Sequence, residues 1–274
     1  MKKEMTEKET VQAGVPLIRW LILGSIILMI AVNALANILP INNITTGAVS
    51  DSYPVLFTPA GYVFSIWGLI YLALIGFGLY QLSAIRVDQD FINKIALPII
   101  LGNLANAGWI FCWHYRSITL SVLFMLAILT SLIIIYKKIS SYRVHFSPRE
   151  QLLLSAPFSL YFGWISVATI ANISVWLYSL NWNGFGLSPV FWTVLVLVIG
   201  TGLGAAMLFK FNDLIFAGVV IWAFAGIQFK PEVEATVGLT AGLCAAGLIT
   251  LAMVLLLRTR QRELMTARKD RRTD

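Results

Sequence analysis

Residues 59–82 read PAGYVFSIWGLIYLALIGFGLYQL, a run of 24 residues without Asp, Glu, Lys or Arg. At about 1.5 Å per residue, a helix of this length can cross a hydrocarbon core about 30 Å thick. Trp67 and Tyr71 are four positions apart, so they share one helix face. An indole N–H this far inside a span needs a hydrogen-bond partner. The helix is therefore a candidate pocket wall, although aromatics that only pack between helices would give the same pattern.

The composition of the whole chain places it in a membrane. It is 58% hydrophobic and only 12% charged, with a mean hydropathy of +0.81, whereas soluble domains are about 25% charged. We therefore predict an all-α, polytopic integral membrane protein with about eight transmembrane helices. The predicted spans are residues 16–39, 59–82, 92–114, 117–136, 151–177, 188–208, 212–228 and 235–257.

Basic residues predict the orientation of these spans. With eight spans, 18 of the 20 Lys and Arg residues lie on one side, and only Arg116 and Lys230 lie on the other. The positive-inside rule then puts both termini in the cytoplasm, in a bacterial cytoplasmic membrane. The basic segment 258–274 would lie beside anionic lipid. We expect no nucleic-acid partner despite the net charge of +7, because no soluble domain accompanies the spans.

Residues that would carry catalysis or ion transport are missing from the spans. No acidic residue lies clear of a helix end, which argues against a proton-coupled pump or an ion channel. There is no phosphate-binding loop, zinc-protease motif or Ser/His/Asp set, so we predict no catalytic residue and no metal site. His114, beside Trp113, is either an interfacial polar group or an axial ligand for a haem iron.

The third predicted span carries aromatic and amide side chains on one face. Asn106, Trp109 and Trp113 fall at i, i+3 and i+7. An amide inside a membrane must face protein or a cavity. Asn106 could therefore bond a neighbouring helix or orient a ligand.

The fifth predicted span repeats this arrangement. Trp164, Ala168 and Asn172 fall at i, i+4 and i+8 and share a face. Like Asn106, Asn172 could either bond a neighbouring helix or orient a ligand. Ala168 is small and would leave room for a ligand. Indole rings from three helices predict a cavity suited to a large, planar, apolar molecule with a few polar groups.

Three motifs in this order resemble the tryptophan-rich sensory proteins of the TspO/translocator-protein family. The motifs are PAGYVF at 59–64 with Trp67 and Tyr71, Asn106-x-x-Trp109, and WISVAT at 164–169 with Asn172 and Trp176. The resemblance covers residues 16–182 and implies a five-helix membrane core there. One residue is missing before Trp67, and the loop after the first helix is shorter than the family pattern.

The resemblance implies a pocket under that loop for porphyrins and other hydrophobic ligands, in a protein that is often a homodimer. No cofactor is required, and a porphyrin- or haem-like tetrapyrrole is the expected ligand. The predicted organisation is a tail (1–15), the core (16–182), a three-helix extension (183–257) with no counterpart in the family pattern, and a basic tail (258–274). The predicted ligand-binding residues are Trp67, Asn106, Trp109, Trp164, Ala168, Tyr71, Asn172 and Tyr53.

We therefore expect a membrane receptor, sensor or carrier for a hydrophobic small molecule, and favour binding over catalysis. One alternative is a secondary transporter with a path between core and extension. Another is a porphyrin-degrading enzyme in which indoles stabilise a photo-generated radical. The last is a structural partner subunit that binds no small molecule.

Overall fold

The computed structural model describes residues 15–39, 41–83 and 87–270, within which every regular element is helical. This confirms the all-α class. Four stretches lie outside the described residues: residues 1–14 of the predicted N-terminal tail (1–15), Pro40, residues 84–86, and residues 271–274 of the predicted basic tail (258–274). The helices are α1 (Leu17–Ile38), α2 (Thr46–Asp51), α3 (Ile66–Tyr80), α4 (Gln89–His114), α5 (Ile118–Tyr142), α6 (Pro148–Glu150), α7 (Ala156–Ser179), α8 (Pro189–Phe211), α9 (Leu214–Gln228) and α10 (Ala235–Asp270).

Within the described residues, seven helical stretches are long and apolar enough to cross a membrane, so the polytopic membrane fold is confirmed. The predicted span 212–228 is a shorter apolar helix, α9, of 15 residues. The predicted span 59–82 begins with a 3₁₀ turn, Gly61–Ser65, before α3. Helix α10 continues past the predicted end at 257 because residues 258–270 contain neither Gly nor Pro.

Five helices form a closed ring. Helix α1 packs against α3 and α4, α4 against α5, α5 against α7, and α7 against α3. Short α2 packs against α4 at one end of the ring, which we call the loop end. The ring therefore brings the helices that carry Trp67, Trp109 and Trp164 around one interior.

The three C-terminal helices pack against one another, and α9 joins them to the ring. It lies along α7, where a Cβ added to Gly163 would come within 3.0 Å of Val219 Cβ. It also contacts the 3₁₀ turn before α3. The short central helix of the extension is therefore the one that faces the core.

A buried carboxylate holds the start of α9 at the end opposite the loop end. Asp213 is 2% exposed, and its Oδ2 accepts hydrogen bonds from Tyr136 Oη and Ser159 Oγ, each at 2.7 Å. Its Oδ1 accepts from the Phe216 N–H at 3.0 Å and caps the helix. Three donors on one carboxylate join α5, α7 and α9 and offset the cost of burying the charge.

A second buried charge organises the same end. The guanidinium of Arg19 donates to Gln89 Oε1 at 2.7 Å and to the Val87 carbonyl at 2.8 Å. It also donates to the carbonyls of Gln81 and Ser83. These acceptors belong to the connection between α3 and α4, so one cation on α1 satisfies carbonyls that no helix bonds.

Replacing Asp213 by Asn should destabilise the protein. An amide NH₂ would face one of the three donors, which leaves a buried group unsatisfied and costs about 2 kcal/mol. Thermal unfolding in detergent should show a lower midpoint for Asp213→Asn. Asp51→Asn, which changes an exposed carboxylate on α2, is the matched control, and equal midpoints for the two variants would contradict this role.

Candidate functional site

Three tryptophans from three ring helices line one cavity. Trp67 of α3, Trp109 of α4 and Trp164 of α7 all contribute to its wall, together with Ala168 and Asn172. The remaining lining residues are Ser50, Pro59, Phe64, Trp113, Val167, Ala171 and Val175. The structure thus brings together five of the eight predicted binding residues at the loop end of the ring.

Trp164 is the least satisfied of these side chains. It is 2% exposed, and its Nε1–H has no hydrogen-bond partner among the described residues. The rings of Phe64 and Trp67 approach it edge-on, with centroids 5.7 and 6.2 Å away. Leaving an indole N–H unbonded costs about 1–3 kcal/mol. One residue of the cavity wall therefore carries a buried donor that has no partner in the described part of the protein.

Trp109, in contrast, is fixed by hydrogen bonds. Its Nε1 donates to Asn172 Oδ1 at 3.1 Å, and Asn172 Nδ2 donates to Ser121 Oγ at 3.0 Å. Trp113 stacks on Trp109, with ring centroids 5.6 Å apart and an interplanar angle of 19°. Asn172 therefore lines the cavity, but its amide orients an indole and bonds α5.

Asn106 lies behind the cavity wall and is fully buried, at 0% exposure. Its Oδ1 accepts from Asn33 Nδ2 and its Nδ2 donates to Tyr161 Oη, both at 2.7 Å. These bonds join α1, α4 and α7, which agrees with the helix-bonding reading of this amide. Tyr71 is also outside the lining and stacks on Trp67, with ring centroids 5.5 Å apart.

Residues 41–58, which include α2, cover the loop end of the ring and form what we call the lid. Ser50 of the lid reaches the cavity. Tyr53 does not line it, but its ring lies 6.4 Å from those of both Trp113 and Tyr178. Tyr53 thus joins the lid to α4 and α7.

His114 fastens the lid to α4. Its Nδ1 lies 3.0 Å from the Ile41 carbonyl and its Nε2 lies 3.0 Å from Thr46 Oγ1. Because a carbonyl only accepts, Nδ1 carries a proton and donates it to Ile41, while Nε2 shares a hydrogen bond with the Thr46 hydroxyl, which can donate or accept. The Thr46 carbonyl also accepts from Trp113 Nε1 at 3.1 Å. Both nitrogens of His114 are engaged, so an axial bond to haem iron would require breaking one lid contact.

The cavity is small in this structure, at about 40 Å³. This exceeds the minimum for a water molecule, but pockets for drug-sized ligands measure about 300–1,000 Å³. The lid and the wall therefore have to separate before a planar molecule of tetrapyrrole size can bind. In this structure the predicted cavity is present but smaller than such a ligand.

Some lining residues were not among the predicted site residues. Val167, Ala171 and Val175 continue the face of Trp164 and Ala168 along α7 at helical spacing, so extending that periodicity would have found them. For Ser50 no such signal exists, because it lies on a short helix of the lid.

Fold and cavity together define an all-helical integral membrane protein with an aromatic cavity inside a five-helix ring. A protein-family model described as TSPO-like protein matches residues 19–255. The chain therefore belongs to the TSPO-like family, and this membership points to a membrane sensor or binder of hydrophobic ligands. The match includes α8, α9 and most of α10, for which the motif resemblance supplied no counterpart.

No curated protein and no solved structure gives a significant match to the chain.

Replacing Thr46 by Val should loosen the lid. The substitution keeps the shape of the side chain, removes the hydroxyl bonded to His114 and should weaken closure by about 1 kcal/mol. Hydrogen–deuterium exchange of amides 46–52 should accelerate about fivefold. Thr240→Val, a half-buried position on α10 whose hydroxyl bonds its own helix, controls for the loss of a hydroxyl elsewhere. Unchanged exchange in Thr46→Val would show that this contact does not hold the lid.

Proposed function

We propose that this protein binds a planar hydrophobic molecule of the porphyrin class between Trp67, Trp109 and Trp164. Flat π surfaces on three helices suit a flat apolar ligand, and Ala168 supplies the small side chain that leaves room in the wall. Membership of the TSPO-like family supports a ligand of this hydrophobic class.

The unbonded Nε1–H of Trp164 is the observation that carries this proposal. A buried donor on a predominantly apolar wall would favour ligands that present an acceptor, such as a carbonyl or carboxylate oxygen, at the edge of an apolar body. The gain is largest inside a membrane protein, because no bulk water competes for the donor.

Binding proceeds through opening of the lid. The lid is held through Tyr53, Thr46 and the ring of His114, and its one charged contact among the described residues is that of Lys230 with its last residue, Thr58. Such contacts are weak enough to break and re-form while the protein remains folded. A ligand that separates the lid from Trp113 would gain stacking surface in return for the broken contacts.

We propose that the loop end faces away from the cytoplasm, with both termini on the cytoplasmic side of a bacterial membrane. The distribution of Lys and Arg supports this orientation, since Arg116 and Lys230 are the exceptions among 20 basic residues. The cavity would then exchange ligand with the outer side of the membrane or with its outer leaflet.

The test is quenching of tryptophan fluorescence by protoporphyrin IX in detergent-solubilised protein. Trp164→Phe keeps an aromatic ring and removes the free donor, so affinity should fall about five- to tenfold. Trp176→Phe, on the same helix, loses an indole that bonds Thr119 and does not line the cavity, so its affinity should match the wild type. Equal affinities for all three proteins would remove Trp164 from the site.

A carrier is the second candidate function, and a groove between core and extension favours it. This groove measures about 350 Å³ and is lined by Ser65 of the 3₁₀ turn and by residues of α3, α7 and α9, among them Leu160 and Trp222. Ser65 of the groove adjoins Phe64 of the cavity, so one turn separates the two spaces. If the protein is a carrier, liposomes that contain it should accumulate protoporphyrin IX. Binding of protoporphyrin IX without uptake would favour a receptor instead.

A further inference from the structure

The loop end of α9 is hydrogen-bonded to the segment 58–64, which forms part of the cavity wall. Ala60 N–H donates to the Gly226 carbonyl at 3.0 Å. Trp222 Nε1 donates to the Val63 carbonyl at 3.1 Å. These bonds connect the start of the PAGYVF motif to the extension. The motif is accordingly not α-helical here, because Ala60 is extended and Gly61–Ser65 form a 3₁₀ turn.

A third contact comes from just beyond α9. Lys230 Nζ donates to Thr58 Oγ1 at 2.9 Å and to the Thr58 carbonyl at 3.2 Å. Lys230 is one of the two basic residues at the loop end, and this contact places its ammonium on the last residue of the lid. The extension thereby touches both the lid and the wall.

Gly226 makes the approach of the two segments possible. A Cβ at this position would overlap Val63 Cγ2 and lie 3.2 Å from Pro59 Cβ. Valine has a stiff side chain and proline a stiff backbone, so neither neighbour can yield locally. Pro59 and Phe64 line the cavity on the other side of this segment. Any side chain at 226 must therefore push the wall toward the indoles.

Helix α9 is also held firmly at its other end. Asp213 bonds α5 and α7 there, and the close approach of Gly163 and Val219 fixes the middle of the helix on α7. A helix attached at both ends and along its length transmits displacement rather than absorbing it.

We infer that α9 sets the width of the ligand cavity, with Gly226, Trp222 and Lys230 as positioning residues that hold the wall segment 58–64 away from the indoles. This inference rests on the proposed function, because it assigns a task within the same site. It also gives the C-terminal extension a role in binding that does not require it to touch the ligand.

The experiment compares wild type with Gly226→Ala, using two readouts. The first is hydrogen–deuterium exchange of amides 60–64 in the ligand-free protein, which should accelerate as the Ala60–Gly226 bond is strained. The second is the affinity for protoporphyrin IX by tryptophan quenching, which should fall about tenfold, because overpacking shifts the surrounding backbone. Gly202→Ala on α8, where a Cβ meets nothing within 4 Å, is the matched control and should change neither.

Rescue separates positioning from general damage. Val63→Ala removes the methyl groups that a Cβ at 226 would meet. The double variant Val63→Ala/Gly226→Ala should therefore bind within about twofold of Val63→Ala alone. If Gly226→Ala does not accumulate as folded protein, Trp222→Phe with Lys230→Met removes two side-chain donors without adding an overlap and should show the same faster exchange.

The two proposals fail in different ways. If wild type does not quench with protoporphyrin IX but amides 60–64 exchange faster in Gly226→Ala, the ligand proposal fails and the positioning contact stands. If wild type binds but Gly226→Ala changes neither readout, α9 does not set the cavity. The inference is also overturned if Gly202→Ala changes both readouts equally or if Val63→Ala gives no rescue.

Discussion

A polar group inside a membrane-spanning bundle has no bulk water to bond, so it has to find its partner within the protein. This constraint arranges the ring. Asn106 joins Asn33 to Tyr161, Asn172 joins Trp109 to Ser121, and these bonds set the spacing of the helices. Among the aromatic residues of the cavity, Trp164 is the one whose fully buried N–H has no partner in the described part of the chain. A buried donor that lacks a partner in the protein needs a specific explanation, and a ligand contact is the one proposed above.

The same constraint explains how the extension is attached. Its central helix α9 carries a buried carboxylate at one end and meets backbone groups of the core at the other. The Ala60 N–H and Val63 carbonyl would otherwise lie unbonded at the irregular start of a span. The core therefore relies on α9 to complete the wall of its cavity, and the family match through residue 255 is consistent with a single structural unit.

The sequence predicted the spans and the convergence of indoles well, because hydropathy and helical spacing are local signals. It could not predict the partners of Asn106, since Asn33 and Tyr161 are far away in the sequence. The pattern fits an amide that bonds a neighbouring helix as well as one that orients a ligand. Nor does spacing predict the volume of the cavity, which depends on how closely Ser50 of the lid and Phe64 approach the indoles. The contact of Gly226 with Val63 has no local signature, because a glycine in an apolar helix indicates close packing without naming its partner.

The most direct measurement is the indole N–H region of the NMR spectrum of protein labelled with ¹⁵N-tryptophan, with the Trp164 signal assigned by Trp164→Phe. Protoporphyrin IX should move the Trp164 Nε1–H resonance downfield, as a new hydrogen bond forms, and should leave the hydrogen-bonded Trp176 resonance in place. A Trp164 resonance that stays unchanged at saturating ligand, while another indole shifts, would contradict the account.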